Sequence, residues 1–96
     1  MEYNNQEEFE LVEITEVRIY KSKTQGAVKA YATMSLDNEF VVKGIKVLEG
    51  ENGLWVGMPS RRVKDGSFQD LFHPASKEAR EKMVNAVLEA YNNESS

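Results

Sequence analysis

The sequence predicts an α+β fold, an antiparallel β-sheet meander followed by one C-terminal α-helix. Three observations carry that prediction. Val28, Ala30, Ala32, Met34 and Leu36 alternate with Lys29, Tyr31, Thr33 and Ser35, the pattern of a strand with one buried face. Short apolar segments are then separated by Asp37-Asn38, Asn52-Gly53 and Asp65-Gly66, and such brief connections join antiparallel neighbours. After Pro74 the apolar period changes to that of a helix.

Along the chain, Met1 to Glu10 is polar, Asn/Gln/Glu-rich and without period, so residues 1–11 read as an acidic flexible tail. Ile14 to Lys21 reads as a first strand, with Val17 and Ile19 in alternation. Ser22 to Gly26 is a polar turn before the strand centred on Ala32. Glu39 to Leu48 is a third strand. Phe40 and Val42 lie in one phase and Ile45 and Val47 in the other, and Gly44 sits where the phase flips, as a β-bulge requires. Asn52-Gly53 predicts a type I′ hairpin, because that pair adopts positive φ cheaply. Leu54 to Met58 follows as a short strand ending at Pro59, and Asp65-Gly66 joins Arg61-Arg62-Val63 to a strand from Phe68 to Phe72.

Ser76 is a suitable N-cap for a helix over Lys77 to Tyr91. Ala79, Met83, Ala86, Val87 and Ala90 form one face, and Val84, Leu88 and Tyr91 widen the apolar arc to about 200°. An arc that wide suits two partners, the chain's own sheet and a second subunit. Asn92 to Ser96 reads as a disordered C-terminal tail, which leaves residues 12–91 as one folded domain.

With 96 residues the core is modest, and pairing with a second copy would help it. The chain has no cysteine, which removes disulfides, thiolate nucleophiles and cysteine metal sites. No apolar run approaches the length of a membrane span, and the polar leading residues are unlike a signal peptide, so a cytoplasmic location is expected. The net charge is −4, which looks unsuited to a nucleic-acid partner. Its distribution says otherwise. Residues 1–16 hold six acidic groups and no base, leaving twelve bases against ten acids in the rest of the chain.

Catalytic chemistry is sparse. His73 is the one histidine, the residue type whose ordinary pKa lies nearest neutrality, and a triad would need a nucleophile and an orienting carboxylate around it. Asp70 is near in sequence, but His73-Pro74 also reads as an ordinary junction between strand and helix. No run has metal-ligand spacing, and Gly50, Gly53 and Gly57 do not make a phosphate loop, since no helix with a Lys-Ser/Thr signature follows. No cofactor and no small-molecule substrate are expected.

Binding chemistry is present in two places. Arg61, Arg62 and Lys64 fall within four residues, between a strand and a tight turn. Such a loop suits phosphate contacts, and arginine can also pair with a guanine edge. It equally suits a basic turn that keeps a sheet edge soluble. Lys77 and Arg80 lie at the start of the helix, where the macrodipole mildly disfavours cations. Together with the helix N-terminus they could hold an anion, or Glu78 and Glu81 could neutralise them as surface ion pairs. Tyr31 and Trp55 could stack on bases if the sheet exposes them, and would otherwise be core or interface residues. Arg18, Lys21, Lys23 and Lys29 read as a solvated face.

Several of these stretches carry a resemblance: Ile14-Thr15-Glu16-Val17-Arg18-Ile19, Phe40-Val41-Val42, Ile45-Lys46-Val47, Gly53-Leu54-Trp55-Val56-Gly57-Met58-Pro59-Ser60-Arg61-Arg62, Asp65-Gly66-Ser67-Phe68-Gln69-Asp70 and His73-Pro74. Together they resemble the SpoVG (stage V sporulation protein G) septation proteins, from about Val12 to Tyr91. The resemblance implies an antiparallel sheet with a C-terminal helix, a homodimer, and a bacterial cytoplasmic regulator of sporulation and septation. It implies binding to DNA, and in some cases RNA, without catalysis. The basic positions associated with binding would fall on Arg61, Arg62, Lys64, Lys77, Arg80 and Lys82. The sequence departs from the family at its start, where about eleven residues precede the usual beginning, and their acidity would compete with nucleic acid for those bases. The rival reading is a protein-interaction regulator of the septation machinery, in which the arginines only solubilise; a small enzyme is a third. Salt separates the first two, because phosphate contacts release counterions and apolar interfaces do not.

Overall fold

A computed structural model describes residues 12–23 and 26–95, and the expected tail over residues 1–11 lies outside the described residues. The elements are β1 (Ile14–Lys21), β2 (Val28–Leu36), β3 (Phe40–Gly50), β4 (Gly53–Gly57), β5 (Ser60–Arg62), β6 (Phe68–Asp70) and α1 (Lys77–Ser95). β1 to β4 form one sheet in sequence order with every pair antiparallel, and β5 pairs with β6 as a separate ribbon. The fold is therefore α+β, a meander closed by one helix, as the alternation and turn signals predict.

Register explains the core. Val17 faces Met34 and Ile19 faces Ala32 across β1 and β2; Ile45 faces Ala32 and Val47 faces Ala30 across β2 and β3; Val56 faces Val47 across β3 and β4. These residues share one side of the sheet, because side chains alternate along a strand. α1 packs on that side against β1, β3 and β4. Ala30, Met34, Ile45, Val47 and Val87 are wholly buried, in one cluster with Met58 and Met83. Burying a side chain such as Val87 stabilises the fold by about 1.5–3 kcal/mol.

Two devices make that packing possible. Met34 faces Val42 while Ala32 faces Ile45, so β3 carries one extra residue between the pairs, over Lys43-Gly44. Gly44 takes φ 88° there, and the bulge returns Ile45 and Val47 to the side of Val42. Phe40 shares that phase, but it is the first residue of β3, lies past the buried cluster and is 66% exposed. The second device is the turn at Asp37 (φ 53°) and Asn38 (φ 58°). Two successive positive φ angles are what a type I′ turn requires, and Asp and Asn tolerate them. The start of β1 and the residue before it hold this turn in place: Glu13 N–H donates to Asp37 Oδ1 at 2.8 Å, and Asn38 N–H to Thr15 Oγ1 at 3.1 Å.

The structure corrects two expectations. At Asn52-Gly53 only Gly53 has positive φ (110°), so the turn is not type I′. Gly50 pairs with Gly53, leaving Glu51 and Asn52 as the connection. The second correction concerns the helix, expected over Lys77 to Tyr91: it continues to Ser95, and Ser96 of the expected tail lies outside the described residues. No glycine or proline stops it, and β1 supplies a cation at its end. Lys21 Nζ donates to the Glu94 carbonyl at 3.4 Å and lies 5.4 Å from the centre of the Tyr91 ring. Lys21 is thus a helix-end contact rather than part of a solvated face.

Candidate nucleic-acid interface

Past Met58 the chain leaves the main sheet. Pro59 is buried, and its carbonyl accepts the Leu71 N–H at 2.7 Å, closing the base of the β5–β6 ribbon. Ser60, Arg61 and Arg62 face Asp70, Gln69 and Phe68 in turn. At the tip, Gly66 N–H donates to Val63 O and Val63 N–H to Ser67 O, both at 2.9 Å, with Gly66 at φ 91°. The Asp65 carboxylate accepts the Ser67 hydroxyl at 2.6 Å and the Ser67 N–H at 2.9 Å, and these bonds hold its pKa below the usual value. Lys64 rides on that fixed turn.

Arg61, Arg62, Lys64, Phe68, Gln69 and Asp70 are all exposed. Arg61 and Arg62 are successive strand residues and so point to opposite faces of the ribbon. The Arg62 guanidinium sits 4.9 Å from the centre of the Phe68 ring. Stacking engages the flat face of the guanidinium and leaves its rim of N–H donors for a planar acceptor. Phe68 is a supporting residue that sequence reasoning missed; a two-residue turn at Asp65-Gly66 would pair Arg62 with Gln69, and it is the three-residue loop from Lys64 to Gly66 that brings Phe68 opposite Arg62.

The helix cations divide. Ser76 caps α1: its Oγ accepts the Ala79 N–H at 3.0 Å and its carbonyl the Arg80 N–H at 3.0 Å. Lys77 and Arg80 are exposed and three residues apart, hence neighbours on one side of the first turn. Among the described residues neither forms an ion pair, so Glu78 and Glu81 do not neutralise them. Lys82 is different. It lies about 200° round the helix from Arg80, and its Nζ donates to the Val12 carbonyl. No hydrogen bond or ion pair among the described residues joins the ribbon cations to the helix cations.

The side of the main sheet away from α1 is open. Register places Lys46 opposite Tyr31, and Tyr31 opposite Tyr20, in one row; Trp55, Leu48 and Val28 form the row beside it. Tyr20, Tyr31 and Trp55 are 51%, 45% and 52% exposed, while Val56 and Met58 are buried on the other side. Tyr20 and Lys46 were not singled out from the sequence. Carrying the strand phase through the Gly44 bulge would have put Lys46 beside Tyr31.

His73 and Asp70 are both exposed, with no hydrogen bond between them. Among the described residues, no three His, Asp or Glu side chains gather where they could hold a metal ion. Among the described residues, no helix is long and apolar enough to cross a membrane. An apolar cleft of about 450 Å³ opens beside the helix N-terminus, lined in part by Val12, Ile14, Leu36, Phe72 and Met83.

The family model for SpoVG matches residues 12–93. A protein of Archaeoglobus fulgidus named "Putative septation protein SpoVG" is 75% identical over 81 residues, covering 84% of this chain and 95% of its own. Its namesake in Clostridium beijerinckii is 51% identical over 80 residues, covering 83% and 88%. That in Acetivibrio thermocellus is 49% identical over 80 residues, covering 83% and 85%. The match spans all six strands and nearly all of the helix, the arginine ribbon included, and on that ground the chain belongs to the SpoVG family.

Proposed function

We propose that this chain is a cytoplasmic, homodimeric regulator that binds DNA, and RNA as a second target, without catalysing a reaction, and acts in septation. The names of its relatives support the link to septation. One observation carries the nucleic-acid part: Arg61, Arg62 and Lys64 stand exposed on a ribbon outside the main sheet, and no carboxylate pairs with them among the described residues. A turn that served only solubility would need neither the Phe68 ring under Arg62 nor the Asp65–Ser67 bonds that fix the tip. Lys77 and Arg80 add an unneutralised pair at a helix N-terminus, where backbone N–H groups also favour phosphate. Lys82, engaged by Val12, contributes less. A dimer doubles the site and raises the effective concentration on one strand. The half-buried Val84, Leu88 and Tyr91 leave apolar surface for such a pairing.

The test is fluorescence anisotropy of labelled DNA and RNA with wild type and an Arg61→Ala/Arg62→Ala/Arg80→Ala variant. Binding by wild type and its loss in a variant that stays folded and equally oligomeric supports the proposal. No binding by wild type at low salt refutes it. The rival protein-partner reading rests on the apolar cleft by Leu36 and Phe72, and an absence of nucleic-acid binding would favour it.

A further inference from the structure

We infer that the open side of the β1–β4 sheet is a second binding surface, a stacking platform for the bases of single-stranded nucleic acid. The inference rests on the nucleic-acid reading above and extends it to a site separate from the arginine ribbon. Tyr20 and Tyr31 are direct cross-strand partners, Lys46 follows in the same row, and Trp55 lies in the adjacent row on β4. Neighbouring strands are about 4.8 Å apart and alternate residues about 7 Å apart along a strand. That places the rings at spacings an extended, unstacked strand can follow. Each of these three aromatic residues is about half exposed.

The backbone is shaped for the indole. A Cβ on Gly50 would lie 3.2 Å from Trp55 Nε1, and one on Gly57 3.8 Å from Trp55 Cζ3. The ring thus spans two positions without side chains and rests on the sheet. A ring supported from below offers its outer face to a base, and stacking of this kind tolerates any base.

Charge selects the occupant. Arg18 and Lys29 are paired with Glu16 at 2.8 Å and with Glu49 at 3.5 Å, but Lys46 has no ion-pair partner among the described residues. It stands beside Tyr31, where a phosphate linking two stacked bases would pass. A second copy of this sheet face fits less well. Covering the face with a second copy would desolvate Lys46, which has no carboxylate partner among the described residues. Single strands supply both the π-faces and the phosphate, whereas a duplex keeps its bases stacked and out of reach.

Trp55 is the single tryptophan, so it reports its own site. Its emission is followed while oligo(dT) or a duplex of the same length is added to wild type, Tyr31→Ala and Arg61→Ala/Arg62→Ala; anisotropy of labelled oligonucleotide gives the affinities of these and of Trp55→Phe, circular dichroism the fold and sedimentation velocity the oligomeric state. The inference predicts quenching of Trp55 by oligo(dT) and not by duplex. It also predicts a loss of about 5- to 150-fold in single-strand affinity for Tyr31→Ala, the range measured for removing one stacking partner. Trp55→Phe should retain most of the affinity and Tyr31→Ala should leave duplex binding unchanged. Unmoved Trp55 emission and an unaffected Tyr31→Ala variant, with nucleic acid still bound and still lost in the double arginine variant, would overturn the platform and leave the ribbon standing. No binding of any nucleic acid would remove both. Dissociation of the protein into monomers by Tyr31→Ala would assign the face to a second copy and overturn the platform as well.

Discussion

Gly44→Ala tests whether the β3 bulge is what sets the two-sided register of the sheet. Gly44 sits at φ 88°, in the left-handed region. An alanine there costs roughly 1–2 kcal/mol in backbone energy. Its Cβ would meet Pro59 Cβ at 3.4 Å, an ordinary contact, so crowding adds little. The expected loss is about 1–2 kcal/mol, read as a lower urea midpoint with an unchanged slope. In a thermal scan it corresponds to a fall of about 4–8 °C for each kcal/mol in a domain of this size. Gly66→Ala is the comparison, because Gly66 has φ 91° with nothing within 4 Å of its Cβ position. An unchanged midpoint for Gly44→Ala would mean that the strand does not need the left-handed residue, and the bulge argument would fail. A loss exceeding that of Gly66→Ala by more than about 1 kcal/mol would move the cost from the backbone to the Pro59 contact.

Other perturbations address the helix, the ribbon tip and the leading acidic segment. Ser76→Ala removes the acceptor of the Ala79 N–H and should cost about 1 kcal/mol in urea unfolding, while Ser76→Asp should preserve stability. The Asp65 pKa is lowered in the folded state, so its contribution to the tip is present above the unfolded carboxylate value of about 3.9 and is lost as pH falls through the folded pKa. Amide exchange or chemical shifts of Ser67 should therefore report loosening below about pH 4, and Asp65→Asn should abolish that pH response. Deleting Met1 to Glu10 removes four acidic groups and no base, and should tighten nucleic-acid binding at low salt with the effect fading as salt rises. Unchanged affinity would exclude competition by that segment.

Much of the fold was legible because each signal was local. Alternation through Ala30, Ala32 and Met34, the phase flip at Gly44, and Ser76 after Pro74 are all readable within a few residues. What escaped depends on neighbours far along the chain. Helix propagation past Tyr91 is supported by Lys21, seventy-three residues before Glu94. Phe40 follows the core phase but lies beyond the buried cluster, which alternation alone does not reveal. The turn at Asn52-Gly53 has positive φ at the glycine only, although the same dipeptide serves both geometries. The candidate site divides in the same way. A cluster such as Arg61, Arg62 and Lys64 is visible as a string of letters. The engagement of Lys82 by Val12 appears only once the helix is packed on the sheet, and the row of Tyr20, Tyr31 and Lys46 only when strand register is known.

The central claim is that the ribbon and helix cations meet phosphate. It is tested most directly by the salt dependence of binding to a duplex too short for more than one protein assembly. Each phosphate neutralised contributes about −0.9 to the slope of log K against log salt. If Arg61, Arg62, Lys64 and Arg80 of even one protomer engage the backbone, the slope should be about −3 to −4, and Lys64→Ala should make it shallower by about 1. A slope near zero, or one that Lys64→Ala and Arg61→Ala leave unchanged, would contradict the account.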